Sequence, residues 1–297
     1  MSRILLSRFL INITMSIKHF VKETIKKFTS LLPHDIVSAT IVSMAPSELL
    51  NGRVALITGG TSGIGYSIAE KFLSAGAKVV ITGRTQQRID SALQKLNNIN
   101  AFGMILDNTN VQSFDSVFKE ILKKVSQVDI LVNNAGVNFK GMPNAVEEEY
   151  DKVLDTNLKG VFFLSQMIGK YFVENNIKGN ILNIASASSL RPADSAYTVS
   201  KWGVRGLTLG LAKSLGGYGI TVNGIAPGPT ATPMMVSADS NDIKLDRIPL
   251  GRYILPEEIS NMAIFLVSEM GRSIMGDIIY MTGGAGILTY DDVPYSF

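Results

Sequence analysis

The sequence predicts an α/β fold in which a parallel sheet is wound by helices on both faces. From residue 50 onward, short apolar runs alternate with helical patterns, the order expected for such a sheet. The first apolar run leads into a glycine cluster, Thr58 to Gly65, and a helical pattern follows through Ala75. A strand, a glycine turn and a helix in succession predict a nucleotide-binding unit at the start of the sheet.

The strands are predicted where apolar runs are short and bounded by turn residues. Residues 50 to 297 contain no internal repeat, low-complexity tract or linker, which predicts one domain over residues 50–297. The predicted strands are residues 54–58, 78–82, 101–106, 129–132, 180–185, 220–225 and 277–281.

Residues 1–49 are predicted to be a basic, amphipathic extension. Apolar residues recur at helical spacing over residues 13–32, Lys18, Lys22 and Lys26 fall on the opposite side, and Pro33 ends the pattern. No run here is long enough to span a bilayer. Four interpretations stay open: a helix on a membrane surface, an organelle transit peptide, a helix packed on the domain, or an upstream start that is unused in favour of Met44.

Composition restricts the chemistry of the domain. There is no cysteine, which excludes disulfides, thiolate metal sites and a cysteine nucleophile, and fits an intracellular protein. The two histidines, His19 and His34, both precede the first strand, which excludes a Ser-His-Asp triad and a histidine zinc site in the domain. No metal site is predicted. We expect a cytoplasmic location, with a mitochondrial or membrane-associated one as the alternative.

Charge is concentrated at the amino terminus. Residues 1–45 hold six Lys or Arg and two acidic residues, whereas the remainder is nearly neutral although the whole chain is +3. Nucleic-acid binding by the domain is therefore not expected, and peripheral membrane contact is assigned to the extension alone.

Tyr197 and Lys201 predict an acid/base site. They stand four residues apart, so in a helix the phenol and the ammonium share one face. A nearby cation favours the phenolate, whose pKa is ordinarily about 10, and reaching neutrality takes roughly 4 kcal/mol. One lysine supplies part of this, and an oxidised nicotinamide would supply more. The pair alone also arises by chance, but here it follows a glycine cluster and a run of small hydroxyl residues.

The glycine cluster is predicted to bind a pyrophosphate. Its glycines permit a tight turn and close approach of the phosphates to the amides, and the helix amino terminus favours the anion. The alternative is a glycine turn that binds nothing. The predicted contacts are Gly59, Thr61, Ser62, Gly63, Ile64 and Gly65.

NADP is predicted in preference to NAD. Where a dinucleotide fold would place an acid on the ribose 2′-hydroxyl, the chain reads Thr82-Gly83-Arg84, which lacks the carboxylate. Arg84 has a planar donor fork that suits a phosphate, and Arg88 lies one helical turn further on. The alternative is that Arg84 is simply solvated.

Two further strand ends are predicted to border the cofactor. Asp107 follows the third strand, where it either accepts from an adenine amino group or caps the next helix, and Asn108 is its neighbour. Asn134, Ala135 and Gly136 end the fourth strand, and small or amide side chains there suit a cofactor that crosses the strand ends.

These motifs together resemble the short-chain dehydrogenase/reductase family, in its branch of roughly 250 residues, and in particular 3-oxoacyl-[acyl-carrier-protein] reductase-like members. The resemblance covers residues 50–284 and implies a Rossmann-type, doubly wound parallel sheet of seven strands. It rests on Thr58 to Gly65, Asn133 to Gly136, Asn157, Ser186, Tyr197 with Lys201, and Pro227-Gly228.

The resemblance implies a catalytic group. In it Tyr197 is the general acid/base, Ser186 holds the substrate oxygen, Lys201 lowers the tyrosine pKa and binds the ribose, and Asn157 contributes to a proton relay through water. Ser188 and Ser189 compete with Ser186, which is preferred because it directly follows an apolar run.

The segment after the sixth predicted strand resembles the part of the family that borders the nicotinamide. Pro227, Gly228, Thr230 and Thr232 are the predicted contacts, and Thr232 is preferred to Thr230 for the carboxamide. Residues 233–250 are polar and irregular, which predicts a lid over the substrate. Its apolar residues either face the substrate or pack, and they are Met234, Met235 and Val236.

The predicted function is hydride transfer between NADP, or alternatively NAD, and a carbonyl or secondary alcohol. A 3-oxoacyl thioester, a ketone, a sugar and a steroid stay open, and Arg191 and Lys213 either suit an anionic carrier or are ordinary surface charges. The alternative function is a non-catalytic NAD(P)-sensing or scaffolding protein. The family resemblance also implies a homotetramer paired through helices at residues 158–174 and 195–215.

Overall fold

The computed structural model describes residues 45–233 and 242–286, all within the compact unit formed by residues 44–297. The predicted amino-terminal helix and Met234, Met235 and Val236 of the predicted lid lie outside the described residues.

The described residues form one seven-stranded sheet, and every strand pairs parallel with its neighbours. The strand order is β3-β2-β1-β4-β5-β6-β7, so the predicted Rossmann-type sheet is confirmed, with strand ends that differ from the predicted ones by one or two residues. The strands are β1 Val54–Ile57, β2 Lys78–Gly83, β3 Ala101–Ile105, β4 Ile130–Asn133, β5 Asn180–Ile184, β6 Thr221–Pro227 and β7 Ile278–Met281.

Helices cover both faces of the sheet. Pro256 stands at the first position of the last helix and two glutamates follow it, which agrees with the general preference for proline and acidic residues in a first turn. The helices are α1 Gly63–Ser74, α2 Gln86–Leu96, α3 Phe114–Val125, α4 Glu147–Leu154, α5 Gly160–Glu174, α6 Ala196–Leu215 and α7 Pro256–Val267. A π-helical turn, Asp155–Lys159, joins α4 to α5.

Alternate residues of a strand enter the two halves of the core, as the pleat of a strand requires. In β1, Ala55 and Ile57 join the cluster that contains Phe72 of α1. Leu56 points the other way and joins the cluster that contains Phe172 of α5. Every residue of β1, β4, β5 and β6 is buried, as expected for the inner strands of a parallel sheet that is covered on both faces.

The strand order reverses beside β1. From β1 the chain proceeds outward to β2 and β3, and then returns to β4 on the opposite side of β1. Connections leave the two strands in opposite directions and open a crevice at their carboxyl ends, where open α/β sheets bind ligands.

Within the described ranges, no helix is both long and apolar enough to cross a membrane. The domain boundary at residues 49/50, the role of the extension and the cytoplasmic location stay predictions.

Candidate active site

A cavity of about 920 Å³ lies at the carboxyl ends of the strands. The loops that follow β1 to β6 all contribute to its wall, so residues far apart in sequence meet there. Of the predicted site residues only Gly65 and Asn157 do not line it. Those that do are Gly59, Thr61, Ser62, Gly63, Ile64, Arg84, Asp107, Asn108, Asn134, Ala135, Gly136, Ser186, Tyr197, Lys201, Pro227, Gly228, Thr230 and Thr232.

Glycine is required in this turn for two reasons, which are the backbone conformation and the close approach of neighbouring atoms. Gly59 has a φ of +63°, and a Cβ there would lie 2.9 Å from the Cα of Ala135. Gly63 has a φ of +57° at the start of α1. Both angles lie in the left-handed region that glycine adopts without strain. Gly65 serves packing instead, because a Cβ there would lie 2.6 Å from the Gly59 carbonyl oxygen.

Asn134 holds this turn against β4. Its Nδ2 donates to the carbonyl oxygens of Thr58 and Gly59, each at 3.0 Å. In the reverse direction, the Asn134 backbone amide donates to Thr58 Oγ1, also at 3.0 Å. The side chain of Asn134 therefore fixes the shape of the turn as well as lining the cavity.

The amino terminus of α1 is open towards a ligand. Ser62 occupies the N-cap in an extended conformation, yet its side chain makes no capping hydrogen bond. The first amides of the helix thus have no side-chain acceptor, while Thr61, Ser62, Gly63 and Ile64 line the cavity. Free amides and the positive end of a helix dipole suit an anion. The turn fits the pyrophosphate of a dinucleotide.

Two arginines stand at the carboxyl end of β2. Arg84 and Arg88 are exposed and line the cavity beside Gly83. A Cβ on Gly83 would lie 2.8 Å from Thr61 Cγ2, so no acidic side chain is accommodated there. In the part of the chain that the structure describes, neither arginine forms an ion pair.

Asp107 and Asn108 differ in what their side chains do. Asp107 Oδ1 accepts hydrogen bonds from the backbone amide and the hydroxyl of Thr109, each at 2.9 Å. This carboxylate therefore stabilises the turn in which it lies. Asn108 is buried, and its Nδ2 has no hydrogen-bond partner among the described residues. Buried donors are ordinarily satisfied, so this amide is available to an acceptor on a ligand.

Ser186 directly follows β5 and caps a short 3₁₀ turn, Ala187–Leu190. Its Oγ accepts from the backbone amide of Ser188 at 3.1 Å and is hydrogen-bonded to Tyr197. Ser189 is fully buried and does not line the cavity, because its hydroxyl donates to the Ser186 carbonyl at 2.8 Å. Between these two serines, the geometry favours Ser186 for contact with a substrate.

Tyr197 and Lys201 lie one turn apart on α6, as predicted. Lys201 is 5% exposed, and its Nζ lies 5.6 Å from the centre of the Tyr197 ring. Burial lowers the pKa of Lys201 to about 8. Burial also raises the pKa of Tyr197, while the hydrogen bond with Ser186 lowers it. Of these two effects burial is the larger, so the pKa of Tyr197 lies above its ordinary value.

The side chain of Asn157 is used as a structural clamp. Asn157 lies in the π-helical turn and is buried. Its Oδ1 accepts from the Val137 amide at 2.8 Å, and its Nδ2 donates to the Val137 carbonyl at 2.9 Å and to Ser200 Oγ at 3.2 Å. Ser200 Oγ in turn donates to the Tyr197 carbonyl at 2.7 Å. Asn157 therefore connects the loop after β4 to the helix that carries Tyr197.

The two threonines of the nicotinamide segment also differ. Thr230 is buried, and its hydroxyl donates to the Gly228 carbonyl at 3.0 Å. Thr232 faces the glycine turn, since a Cβ on Gly63 would lie 3.3 Å from Thr232 Cγ2. The preference for Thr232 over Thr230 fits this placement.

Several residues of the cavity wall were not predicted from the sequence. Arg247 is one, and a second set comes from α4 and the π-helical turn. These residues are three or four positions apart in a helical segment that follows the fourth strand, so they lie on one face of the helix. That spacing is the sequence signal by which they could have been found. The members of this set are Glu148, Asp151, Lys152, Asp155 and Thr156.

A family model described as short chain dehydrogenase matches residues 53–243 of the chain. The chain belongs to the short-chain dehydrogenase family. The predicted family and enzyme class are thus confirmed, and the protein is an NAD(P)-dependent oxidoreductase.

Members of the short-chain dehydrogenase family from bacteria align with nearly the whole domain. The chain is 36% identical over 246 residues to a 3alpha-hydroxysteroid dehydrogenase of Mediterraneibacter gnavus, covering 80% of this chain and 98% of that protein. It is 34% identical over 242 residues to a 3-oxoacyl-[acyl-carrier-protein] reductase of Thermotoga maritima, covering 79% and 98%.

Solved structures of short-chain dehydrogenases agree with the fold. A 3-ketoacyl-(acyl-carrier-protein) reductase from Brucella melitensis complexed with NADH has a TM-score of 0.74 at 32% identity, covering 80% of this chain and 100% of that one. A short chain dehydrogenase from Burkholderia cenocepacia in complex with NADP has a TM-score of 0.72 at 31% identity, covering 80% and 98%. Both nicotinamide cofactors therefore occur among similar proteins.

Proposed function

We propose that the protein is an NADP-preferring enzyme that interconverts a carbonyl compound and a secondary alcohol, with Tyr197 as the general acid/base. One observation carries the proposal. Ser186, Tyr197 and Lys201 line the same cavity as a glycine turn whose helix amides have no side-chain acceptor. A proton donor and a pyrophosphate site thus share one cavity.

The residues of the chain have distinct roles in this reaction. When bound, a reduced nicotinamide would supply the hydride. Ser186 and Tyr197 hold the carbonyl oxygen by hydrogen bonds, and Tyr197 gives its proton to the oxygen as the alcohol forms. The raised pKa of Tyr197 keeps that proton in place until it is needed. Lys201, held beneath the ring, then stabilises the tyrosinate by its charge.

The preference for NADP rests on the end of β2. Gly83 leaves no carboxylate there to accept from a ribose 2′-hydroxyl, and Arg84 and Arg88 line the wall. Two guanidinium groups attract a 2′-phosphate and offer no acceptor to a hydroxyl. Asp107, Asn108 and the Asn134–Gly136 turn would border the adenosine.

A homotetramer is part of the proposal. α5 and α6, the helices predicted to pair, present large apolar side chains to solvent in the single chain. Apolar side chains grouped on neighbouring helices are typical of a surface that another subunit covers. They are Phe162 and Phe163 on α5, and Val199, Trp202 and Leu209 on α6.

The test is turnover of NADPH with a panel of carbonyl compounds, comprising a 3-oxoacyl thioester, a simple ketone, a keto sugar acid and a 3-oxosteroid. We expect at least one to be reduced. Tyr197→Phe should lower kcat by about 10²- to 10⁴-fold and leave NADPH affinity within about twofold, while Tyr218→Phe, on the exposed surface, should change neither. NADPH binding without turnover of any compound would support the non-catalytic alternative instead.

A further inference from the structure

We propose that Arg191 and Arg247 bind an anionic group of the substrate, so that the enzyme acts on carbonyl compounds that carry a carboxylate or a phosphate. This inference rests on the proposed function, because it names the substrate class of the same cavity. Both arginines line the cavity with Ser186 and Tyr197.

Arg191 is held in place by neighbours on both its backbone and its side chain. It directly follows the 3₁₀ turn that begins after Ser186. Trp202 Nε1 donates to the Arg191 carbonyl at 2.8 Å. The guanidinium lies against Gly286, where an added Cβ would be 2.9 Å from Nε. The positive charge is therefore positioned a few residues from the serine that would hold the reacting oxygen.

Arg247 is held by the backbone of a compact turn. Leu245 N donates to the Gly251 carbonyl at 2.9 Å, and Gly251 N donates to the Ile248 carbonyl at 2.8 Å. Three residues after this turn, Ile254 forms a parallel bridge with Thr230, which follows β6. Arg247 thus projects from a structured part of the chain that is connected to the catalytic end of the cavity.

Charge supports an anion at this end. Arg191 and Arg247 are exposed, and neither forms an ion pair within residues 45–233 and 242–286. Apart from Asp107 after β3, the acidic residues of the cavity wall belong to α4 and the π-helical turn, and Asp155 among them is already paired with Lys159 at 3.0 Å. Two guanidinium groups without an ion pair, in the cavity that also holds Ser186 and Tyr197, would attract a carboxylate or a phosphate.

Arg191 and Lys213, the two basic residues that the sequence suggested for an anionic substrate, differ in their access to the cavity. Lys213 lies on α6 and is exposed, but it does not line the cavity. It has the same charge and no access to the substrate. Lys213→Gln is therefore a matched control for Arg191→Gln and Arg247→Gln.

The first experiment compares charged and neutral substrates at saturating NADPH. The pairs are 4-oxopentanoate with its methyl ester, and a ketone phosphate monoester with the corresponding alcohol. We expect kcat/KM to be about 10- to 100-fold higher for the anion of at least one pair, mainly through KM. Arg191→Gln and Arg247→Gln should bring that ratio close to one and leave the neutral partner within about twofold. Lys213→Gln should leave the ratio unchanged.

The pair with the larger ratio identifies the anion as a carboxylate or a phosphate. A ratio near one for both pairs in the wild type, or a ratio that both arginine variants leave unchanged, would overturn the proposal. A high ratio that also falls in Lys213→Gln would overturn it too, because it would show a general effect of net charge.

A second readout does not depend on turnover. Trp202 is the only tryptophan of the chain, and its Nε1 donates a hydrogen bond to the Arg191 backbone carbonyl. Its fluorescence therefore reports on the loop that carries Arg191. In the NADP-loaded protein, acetate or inorganic phosphate should change the emission with saturation, and acetamide at equal ionic strength should not. Arg191→Gln and Arg247→Gln should each weaken that response at least tenfold. If no carbonyl compound is reduced but this response is present, the proposed function fails and the anion site stands. No saturable response in the wild type overturns the site.

Discussion

Lys201 Nζ donates a 2.8 Å hydrogen bond to the carbonyl oxygen of Ile184, the last residue of β5. This bond ties the helix that carries Tyr197 to the carboxyl end of a central strand. It also brings the ammonium into the sheet edge, where it is almost completely buried. The position of Lys201 is therefore set by a strand that ends well before it in the sequence.

The burial of Lys201 has a stability cost that depends on pH. Its pKa is about 8 in the folded protein against an ordinary 10.5, so the fold disfavours the charged form. The unfolded chain holds the proton between those two values, and stability should rise with pH from about 8 to 9.5. We expect Lys201→Met to be more stable than the wild type at pH 7, by up to about 3 kcal/mol, with a smaller difference at pH 9.5.

Urea denaturation of the cofactor-free protein at pH 7, 8.5 and 9.5 measures this difference. Lys213→Met, in which an exposed lysine of the same helix is changed, should show no such pH dependence. An unchanged or lower stability of Lys201→Met at every pH would show that the bond to Ile184 outweighs the burial of the charge.

Asn157 should matter for stability and, through position, for turnover. Asn157→Ala leaves the partly buried amide and carbonyl of Val137 without their partner, which costs about 1 to 3 kcal/mol. Ser200→Ala removes the hydroxyl that links Asn157 to the Tyr197 carbonyl but leaves the two bonds to Val137 in place, and it should cost about 1 kcal/mol. Denaturation midpoints and kcat measure both. A full loss of kcat in Asn157→Ala with unchanged stability would contradict the clamp and favour a direct part in proton transfer.

The sequence predicted those parts of the site that depend on local pattern. The Gly59–Gly65 turn and the Tyr197–Lys201 pair follow from spacing and from the strand and helix around them, and the structure places them as expected. The hydrogen-bond partners of the Asn157 side chain lie in a loop that is distant in sequence. Ser189 is buried beside Tyr280 of β7, whose hydroxyl lies 3.4 Å from the serine hydroxyl. Arg247 reaches the cavity through a turn with no recognisable motif. Such contacts between distant residues leave no periodic signal in one sequence.

The same reasoning applies to the pKa of Tyr197. From the sequence, a lysine one turn away was expected to lower it. In the folded chain the larger effect is burial, which raises it, and burial is set by the whole fold. Spacing placed the two side chains one turn apart on a helix, as the structure shows, but could not give the balance between charge and desolvation.

Arg84 should determine the choice of cofactor. Arg84→Ala removes a cation from the end of β2 and should lower kcat/KM for NADPH by about 10- to 100-fold, because a charge-assisted bond to a phosphate is lost. The value for NADH should stay within about threefold. Steady-state kinetics with both cofactors measure this. As a control, Arg205→Ala removes a guanidinium that stacks on Trp202 and should change kcat/KM for NADPH and NADH by the same factor. An equal change for both cofactors in Arg84→Ala would contradict the NADP assignment.

The pair formed by Arg252 and Glu258 predicts acid sensitivity of the turn that carries Arg247. Arg252 Nη1 and Nη2 donate to the two oxygens of Glu258 at 2.8 and 3.0 Å, and the Leu255 amide donates to Glu258 Oε2 at 2.8 Å. The Arg252 bonds first, and then the amide, lower the pKa of Glu258 to about 2 from an ordinary 4.5. Arg252 also bridges to Lys244, so the pair anchors one end of the turn.

Because the folded pKa of Glu258 is depressed, its contribution to stability is present above pH 4.5 and is lost as pH falls towards 2. The pair is about one-third exposed, which limits the contribution to about 1 kcal/mol. Glu258→Gln should therefore lower stability by that amount at pH 6 and by less at pH 3, while Glu257→Gln, its exposed neighbour, should be nearly neutral. Urea denaturation at the two pH values measures this. Equal losses for Glu258→Gln at pH 6 and pH 3 would mean that the carboxylate charge makes no contribution, and that the side chain acts only by capping α7.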